Sequence, residues 1–216
     1  MSAPVSDDMI TWQVLVDELE YGRSGGRRSL SWDAQGWVGR DFGKLWFKTE
    51  GERVGGATEN GRVELLWSRP IAAFWDLQTG VRHDFGAGPS RNWVGFGVQG
   101  VAPYWFDVEA FGYVGPSGRL AAKAKAEYQL VLTQQLFLVP SVETNFYSRS
   151  DPQRGIGRGF SDAEIGVRLR YEIRREVAPY VGIAWARKFG QTATLASRAG
   201  EEVSERRLVA GLRFWF

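Results

Sequence analysis

The single histidine of this 216-residue sequence, His83, sits in the string GVRHDF with Asp84 beside it. An imidazole next to a carboxylate can hold a metal ion or move a proton, and Asp76 is a further oxygen ligand close by in the chain. The candidate metal set is therefore His83, Asp84 and Asp76. Residue alternation opposes it: Arg82 and Asp84 share one face of an extended segment, which puts His83 on the other face. On that competing reading His83 is an interfacial side chain. A hydrolase would need a serine activated by this histidine on the same strand face, but Phe85 stands two positions on. One histidine leaves little material for acid–base catalysis, so no catalytic residue is assigned and the chain is read as a non-enzyme. The absence of cysteine excludes disulfides and thiolate metal centres.

A second set of chemically capable residues is dispersed along the chain: Arg62, Glu64, Asp76, Arg82, Asp107, Glu109, Lys123, Lys125, Glu127, Glu143, Arg168, Arg170 and Glu172. These charges alternate with apolar residues. In DAEIGVRLRYEIR, Ile165, Val167, Leu169, Tyr171 and Ile173 occupy one face and Glu164, Arg168, Arg170, Glu172 and Arg174 the other. The same period of two runs through RLAAKAKAEYQLVL and PYWFDVEAFGYV, and from Thr11 onward about twelve such segments can be read as strands. Helical periodicity is absent from this reading. In the first segment, TWQVLVDELEYG, Asp17, Glu18 and Glu20 do not share a face, which calls for a bulge or a strand end.

No stretch reaches the roughly eighteen apolar residues of a membrane-crossing helix, and the mean hydropathy of -0.29 would ordinarily suggest a soluble protein. A barrel that spreads its apolar residues one in two escapes that inference. Turning the charged face toward mid-bilayer lipid would cost about 2–4 kcal/mol for each Lys or Arg, so the charges belong in the lumen. There they form either a path for a cation or a set of mutually paired charges that fills the barrel.

The connections carry a second signal. RDFGK, SRPIA, VAPY, TQQ and RREVAP are short, whereas RSGGRR, GGATENG, GAGPSRN, GPSGR, SRSDPQRGIGRG and GQTATLASRAGEEVSE are longer and rich in Gly, Ser and charge. This alternation predicts an all-β fold, a twelve-stranded antiparallel up-and-down transmembrane barrel with short periplasmic turns and longer extracellular loops. Trp67, Trp75, Tyr104, Tyr180 and Phe216 lie beside the short turns, where a lipid-interface aromatic girdle is expected. Arg23, Arg27, Arg28, Arg154 and Arg158 lie in the longer loops and are expected to meet lipopolysaccharide phosphates. Twelve strands fall between a barrel filled by side chains and one with an open aqueous channel, so a narrow or partly blocked lumen is expected. The near-balance of 27 basic and 25 acidic residues excludes a nucleic-acid stripe. The start MSAPVSDDM has neither the basic region nor the apolar core of a signal peptide, and Met1 is read as an initiator on a shortened chain.

The strings GVRHDF, GVQGVAPYWFDVEAFGYVG, YQLVLTQQLFLVPSVETNFYSR, DPQRGIGRGFSDAEIGVRLRYEIRREVAPYVGIAW and the closing LRFWF resemble the copper resistance protein B family of outer-membrane proteins, over about residues 12–216. The resemblance implies a role in bacterial copper handling, with copper bound or passed at the outer membrane. It implies a periplasmic multicopper oxidase and soluble copper carriers as partners, while the closing strand RRLVAGLRFWF, ending on Phe216, is of the kind that outer-membrane proteins present to the barrel assembly machinery. Members usually carry a His- and Met-rich segment ahead of the barrel; here residues 1–9 are read as its remnant and residues 10–216 as the barrel, expected as a monomer. Two other readings stay open beside copper handling: a nonspecific small-solute pore, and an outer-membrane hydrolase.

Overall fold

The structure, a computed structural model, describes residues 9–24 and 26–216. Its strands are β1 (Thr11–Ser24), β2 (Arg27–Arg40), β3 (Gly43–Val54), β4 (Ala57–Ala72), β5 (Trp75–Gly86), β6 (Arg91–Ala102), β7 (Phe106–Gly115), β8 (Arg119–Tyr128), β9 (Leu130–Val131), β10 (Leu136–Tyr147), β11 (Gly159–Tyr171), β12 (Val177–Lys188) and β13 (Ser204–Trp215). β8 and β9 both pair with β10 and are one strand interrupted at Gln129. Every pairing is antiparallel between chain neighbours, and β1 closes the ring against β13, giving a twelve-stranded barrel. The closure extends to the last residue: Val14 and Phe216 exchange backbone hydrogen bonds of 3.0 and 2.9 Å.

Apolar side chains cover the outside. Leu65, Val81, Val94, Phe96, Leu120, Ile165, Val181, Ile183 and Leu208 are all exposed, while Arg62, Glu64, Arg82, Lys123, Arg168 and Arg170 on the alternate positions are buried. In water such an exterior would be one large apolar patch; in a membrane it is the surface that lipid requires. No described helix is long and apolar enough to cross a membrane. The strands do the crossing, as a closed membrane-spanning barrel.

β1 carries the bulge that its sequence called for, with the register shifting between Val16 and Glu18 against β2. The extra residue lets consecutive carboxylates face the same way. Asp17 accepts from Arg213, and Glu18 and Glu20 both reach Arg168 inside the barrel.

Expectations about the connections and about one aromatic side chain need correction. Three of the connections read as long are tight. Gly55 and Gly56 alone join β3 to β4, both at positive φ, the geometry of a two-residue hairpin that continues the strand twist. Gly26, at φ 89°, lies in the short connection from β1 to β2, and a three-residue turn at 116–118 joins β7 to β8, because strands of up to 16 residues run on into segments that read as loop. Only residues 148–158 and 189–203 form extended loops. The second contains α1 (Gly190–Ala199), overturning the absence of helical periodicity. Thr192, Leu195, Ala196 and Ala199 mark one face of it at helical spacing, and Gly200 at φ 76° ends it.

Tyr180 is the other correction, since it faces the lumen and is only 5% exposed. The inward position opposite it in β13 is Gly211, and a Cβ there would meet the tyrosine ring at 2.5 Å, so the missing side chain is what makes room for the ring. Trp67, Trp75, Tyr104 and Phe216 remain on the outer surface or in the turns. Gly211→Val is therefore expected to expel Tyr180 and destabilise the barrel by about 1–3 kcal/mol, as overpacking does. The urea midpoint of the folded, heat-modifiable band on a gel measures it, and an unchanged midpoint would show the packing to be slack.

Candidate functional site

The lumen gathers most of the chemically capable residues, and two different fillings divide it. On the β4–β8 side Leu66, Trp93, Phe111, Tyr113 and Ala121 form a buried apolar cluster, with Trp46 and Tyr147 packed against it. Tyr113, Phe111 and Trp93 lie over Gly95, Gly97 and Gly115 of neighbouring strands, positions whose lack of a side chain admits the rings. Polar atoms are tied at the margin: Tyr113 donates to Glu64 at 2.9 Å, Trp93 Nε1 donates to Asp84 at 2.8 Å, and Arg82 holds Asp84 at 2.6 Å.

The remainder is charge. Lys125 reaches from β8 to Asp33 of β2, on the opposite side of the ring, at 2.7 Å. Lys48 of β3 meets Glu109 of β7 at 2.7 Å and donates to Gln99 at 2.8 Å. Lys123 contacts Glu50 at 2.5 Å and Glu143 at 3.2 Å, and Arg62 joins the same two carboxylates. Nearer the outer end Arg207 bridges Glu52 and Glu164 at 2.6 Å each. Pairs that span the ring leave little free space, and the cavity among Asp33, Lys48, Glu50, Glu109, Lys123 and Lys125 has a volume of about 40 Å³. That is room for about one water molecule.

The lumen is wider on the loop side of this constriction. On the loop side a vestibule of about 650 Å³ lies between the constriction and the two extended loops. Its wall carries ten carboxylates against seven Lys and Arg side chains, an excess that draws cations inward. Residues 148–158 and α1 roof it together: Thr192 Oγ1 accepts from the Gly157 amide at 2.9 Å, and Gln191 bridges Ser150 and the Arg158 amide. At the periplasmic end Asp107 and Glu127 stand directly opposite each other in the β7–β8 register. Like charges in that position repel, and a cation between them relieves the repulsion.

The candidate metal set does not come together. His83 is on the outer wall, its Nδ1 2.6 Å from Asn92 Oδ1. Asp84 is inside with Arg82 and Trp93. Asp76 lies eight residues from Asp84 along β5, roughly 26 Å away at the usual rise per residue, and accepts from Ser68 of β4. Among the described residues no group of three or more His, Cys, Asp or Glu side chains is placed to hold a metal ion. The outward His83–Asn92 pair is half of a hydrolytic constellation, a base and the group that orients it, but the ring of Phe85 stacks beside the imidazole where a nucleophile would be needed. The aromatic cluster was missed at the sequence level although its signal was present. Phe111 and Tyr113 share the parity of Asp107 and Glu109 in one strand.

Two outcomes follow from this geometry. Lys125→Met removes the cation that spans the ring and leaves Asp33 unpaired, so single-channel conductance in planar bilayers is expected to rise and to favour cations; unchanged conductance would mean that another contact closes the lumen. Asp151 anchors the first extended loop, held by Arg91 at 2.9 Å and Arg119 at 2.6 Å. Burial tends to raise its pKa, but hydrogen bonds and charge from the two arginines outweigh that and hold it below the usual aspartate value. The anchor is complete at neutral pH and is lost as pH falls through that lowered value. Asp151→Asn should mimic the acid state, with trypsin cutting after Arg154 or Arg158 faster at neutral pH; equal cutting rates would refute the anchor.

Comparison with known proteins agrees with this architecture. Residues 10–216 match the family described as "Copper resistance protein B precursor (CopB)". The chain is 44% identical over 212 residues to copper resistance protein B of Escherichia coli, covering 98% of this chain and 72% of that protein, and equally so to the copper resistance protein B homolog of Pseudomonas syringae pv. tomato. Among solved structures the NanC porin superposes with a TM-score of 0.61 at 12% identity, covering 94% of this chain and 99% of that one. The outer membrane phospholipase A of Escherichia coli does so with a TM-score of 0.55 at 12% identity, covering 94% and 92%. A porin and a lipase at such low identity share the barrel and nothing more specific. Sequence identity over nearly the full length is the stronger bond: this chain belongs to the copper resistance protein B family and is an outer-membrane protein of copper resistance.

Proposed function

We propose that this barrel passes copper ions across the outer membrane, one small cation at a time, through its charged lumen. The observation that carries the reading is the constriction, where ring-spanning Lys–carboxylate pairs leave about 40 Å³ beneath an acidic vestibule. A sugar does not fit such a space, whereas a partly dehydrated cation can exchange places with a lysine on a carboxylate. The described wall offers carboxylate oxygens and no thioether or imidazole, which suits a hydrated Cu(II) ion better than Cu(I). The barrel is thus a conduit that holds copper weakly, and tight capture belongs to a partner or to a His- and Met-rich segment of the kind the family carries.

A nonspecific small-solute pore is the competing reading, favoured by the porin fold of its structural neighbour. Liposomes containing the purified protein separate the two. Copper influx with sugars of similar hydrated size excluded is the expected result, and equal passage of both would sink copper selectivity. Replacing Glu109 and Asp33 together by Asn-type neutral groups, Glu109→Gln and Asp33→Asn, should lower the copper flux at least several-fold while the barrel still runs as a folded band.

A further inference from the structure

The outer wall is not uniform at its loop end. Arg23 of β1, Arg28 of β2, Arg206 of β13 and Arg187 of β12 stand on four strands that are consecutive around the ring, and all four are exposed. Their parity places them on the outer face: Arg23 continues the face of exposed Tyr21, Arg28 that of Leu30, Arg206 that of Leu208, and Arg187, which at the end of β12 also borders the vestibule rim, that of Ile183 and Trp185. Carboxylates on these and adjoining strands turn the other way. Glu20 is inside with Arg168, and Glu52 and Glu164 are inside with Arg207. Among the described residues none of the four arginines has a carboxylate partner; Arg206 and Arg187 only rest against the Trp185 and Phe189 rings.

Such an arrangement is costly without a ligand. Arg23 and Arg28 are directly opposite in the β1–β2 register, where like charges repel. On the other half of the ring the corresponding outward positions are uncharged, among them Asn92, Val94, Val114, Leu120 and Phe146. The arc of arginines lies just beyond the apolar wall formed by Tyr21, Leu30, Ile183 and Leu208. A ligand that satisfies both has phosphate groups at its head and acyl chains below. We propose that the β12–β13–β1–β2 wall is a docking site for the phosphorylated glycolipid of the outer leaflet, with Arg23, Arg28, Arg187 and Arg206 holding its phosphates by bidentate, charge-assisted hydrogen bonds. The barrel thereby has one preferred side toward its lipid, on the wall where the chain closes on itself.

The test uses the folded protein in detergent, loaded with bis-phosphorylated lipid A, washed, and read by native mass spectrometry. The wild type is expected to retain the lipid, and the combined Arg23→Gln, Arg28→Gln, Arg187→Gln, Arg206→Gln protein to retain at least tenfold less. Heat-modifiable gel mobility confirms folding, and if the fourfold variant fails it, the pairs Arg23→Gln with Arg28→Gln and Arg187→Gln with Arg206→Gln are each expected to lose at least threefold. Arg149→Gln, a charge removed elsewhere on the loop side, should change nothing. Equal retention by the variants, or equal retention of lipid A stripped of phosphate, overturns the proposal. Displacement by millimolar inorganic phosphate alone would make this a site for free anions and would overturn the lipid assignment.

Discussion

A charged side chain cannot be left in hydrocarbon, and each strand of this barrel answers by turning its charges inward. Nearly a quarter of the chain is charged, so the consequence is a lumen crowded with ions that must then find one another. The partners come from distant parts of the chain: Lys125 with Asp33, Arg168 with Glu20, Arg207 with Glu52. Buried ion pairs of this kind contribute little net stability over an apolar filling, because both ions lose their water. Removing one member is expensive, however, and the network therefore specifies which strands must face each other across the ring.

The apolar cluster on the β4–β8 side gives the network something firm to press against. Trp93, Phe111 and Tyr113 occupy space that glycines on adjacent strands leave free, and their ring edges hand over to charge through Glu64, Asp84 and Arg82. Arg82 lies 4.5 Å from the Tyr113 ring centre and Lys48 5.0 Å from that of Phe111, so the two fillings are joined by cation–aromatic contacts as well. A wide pore could not keep this arrangement. The lumen narrows where the two halves meet and widens toward the loops, and the acidic excess of the vestibule sets the sign of what it attracts.

Membership of the copper resistance protein B family and the geometry of the lumen answer different questions. Identity of 44% along nearly the whole chain gives the biological setting. The lumen shows what the barrel offers in that setting: carboxylate oxygens, and among the described residues no group of three or more His, Cys, Asp or Glu side chains placed as a metal cage. His83, the residue that sequence chemistry singles out first, lies on the outer wall paired with Asn92.

The strands and their facing were legible in the sequence because lipid and lumen impose opposite demands on successive residues, so each strand states its own orientation locally. The bulge at Asp17–Glu18 was legible for the same reason, as a local break in the alternation. Tyr180 was not, since its direction depends on Gly211 in another strand, and an aromatic side chain is acceptable on either face. The tight connections at Gly26, 55–56 and 116–118 read as loops because strands that leave the membrane lose the alternation that identifies them. α1 escaped notice because its ten residues, GQTATLASRA, make fewer than three helical turns within a long polar connection. The sequence alone thus determined an outward-apolar, inward-charged barrel of twelve strands. Which charge meets which, how narrow the passage becomes, and where the outward arginines gather were decided only when the ring closed, because those relations join residues that no local pattern connects.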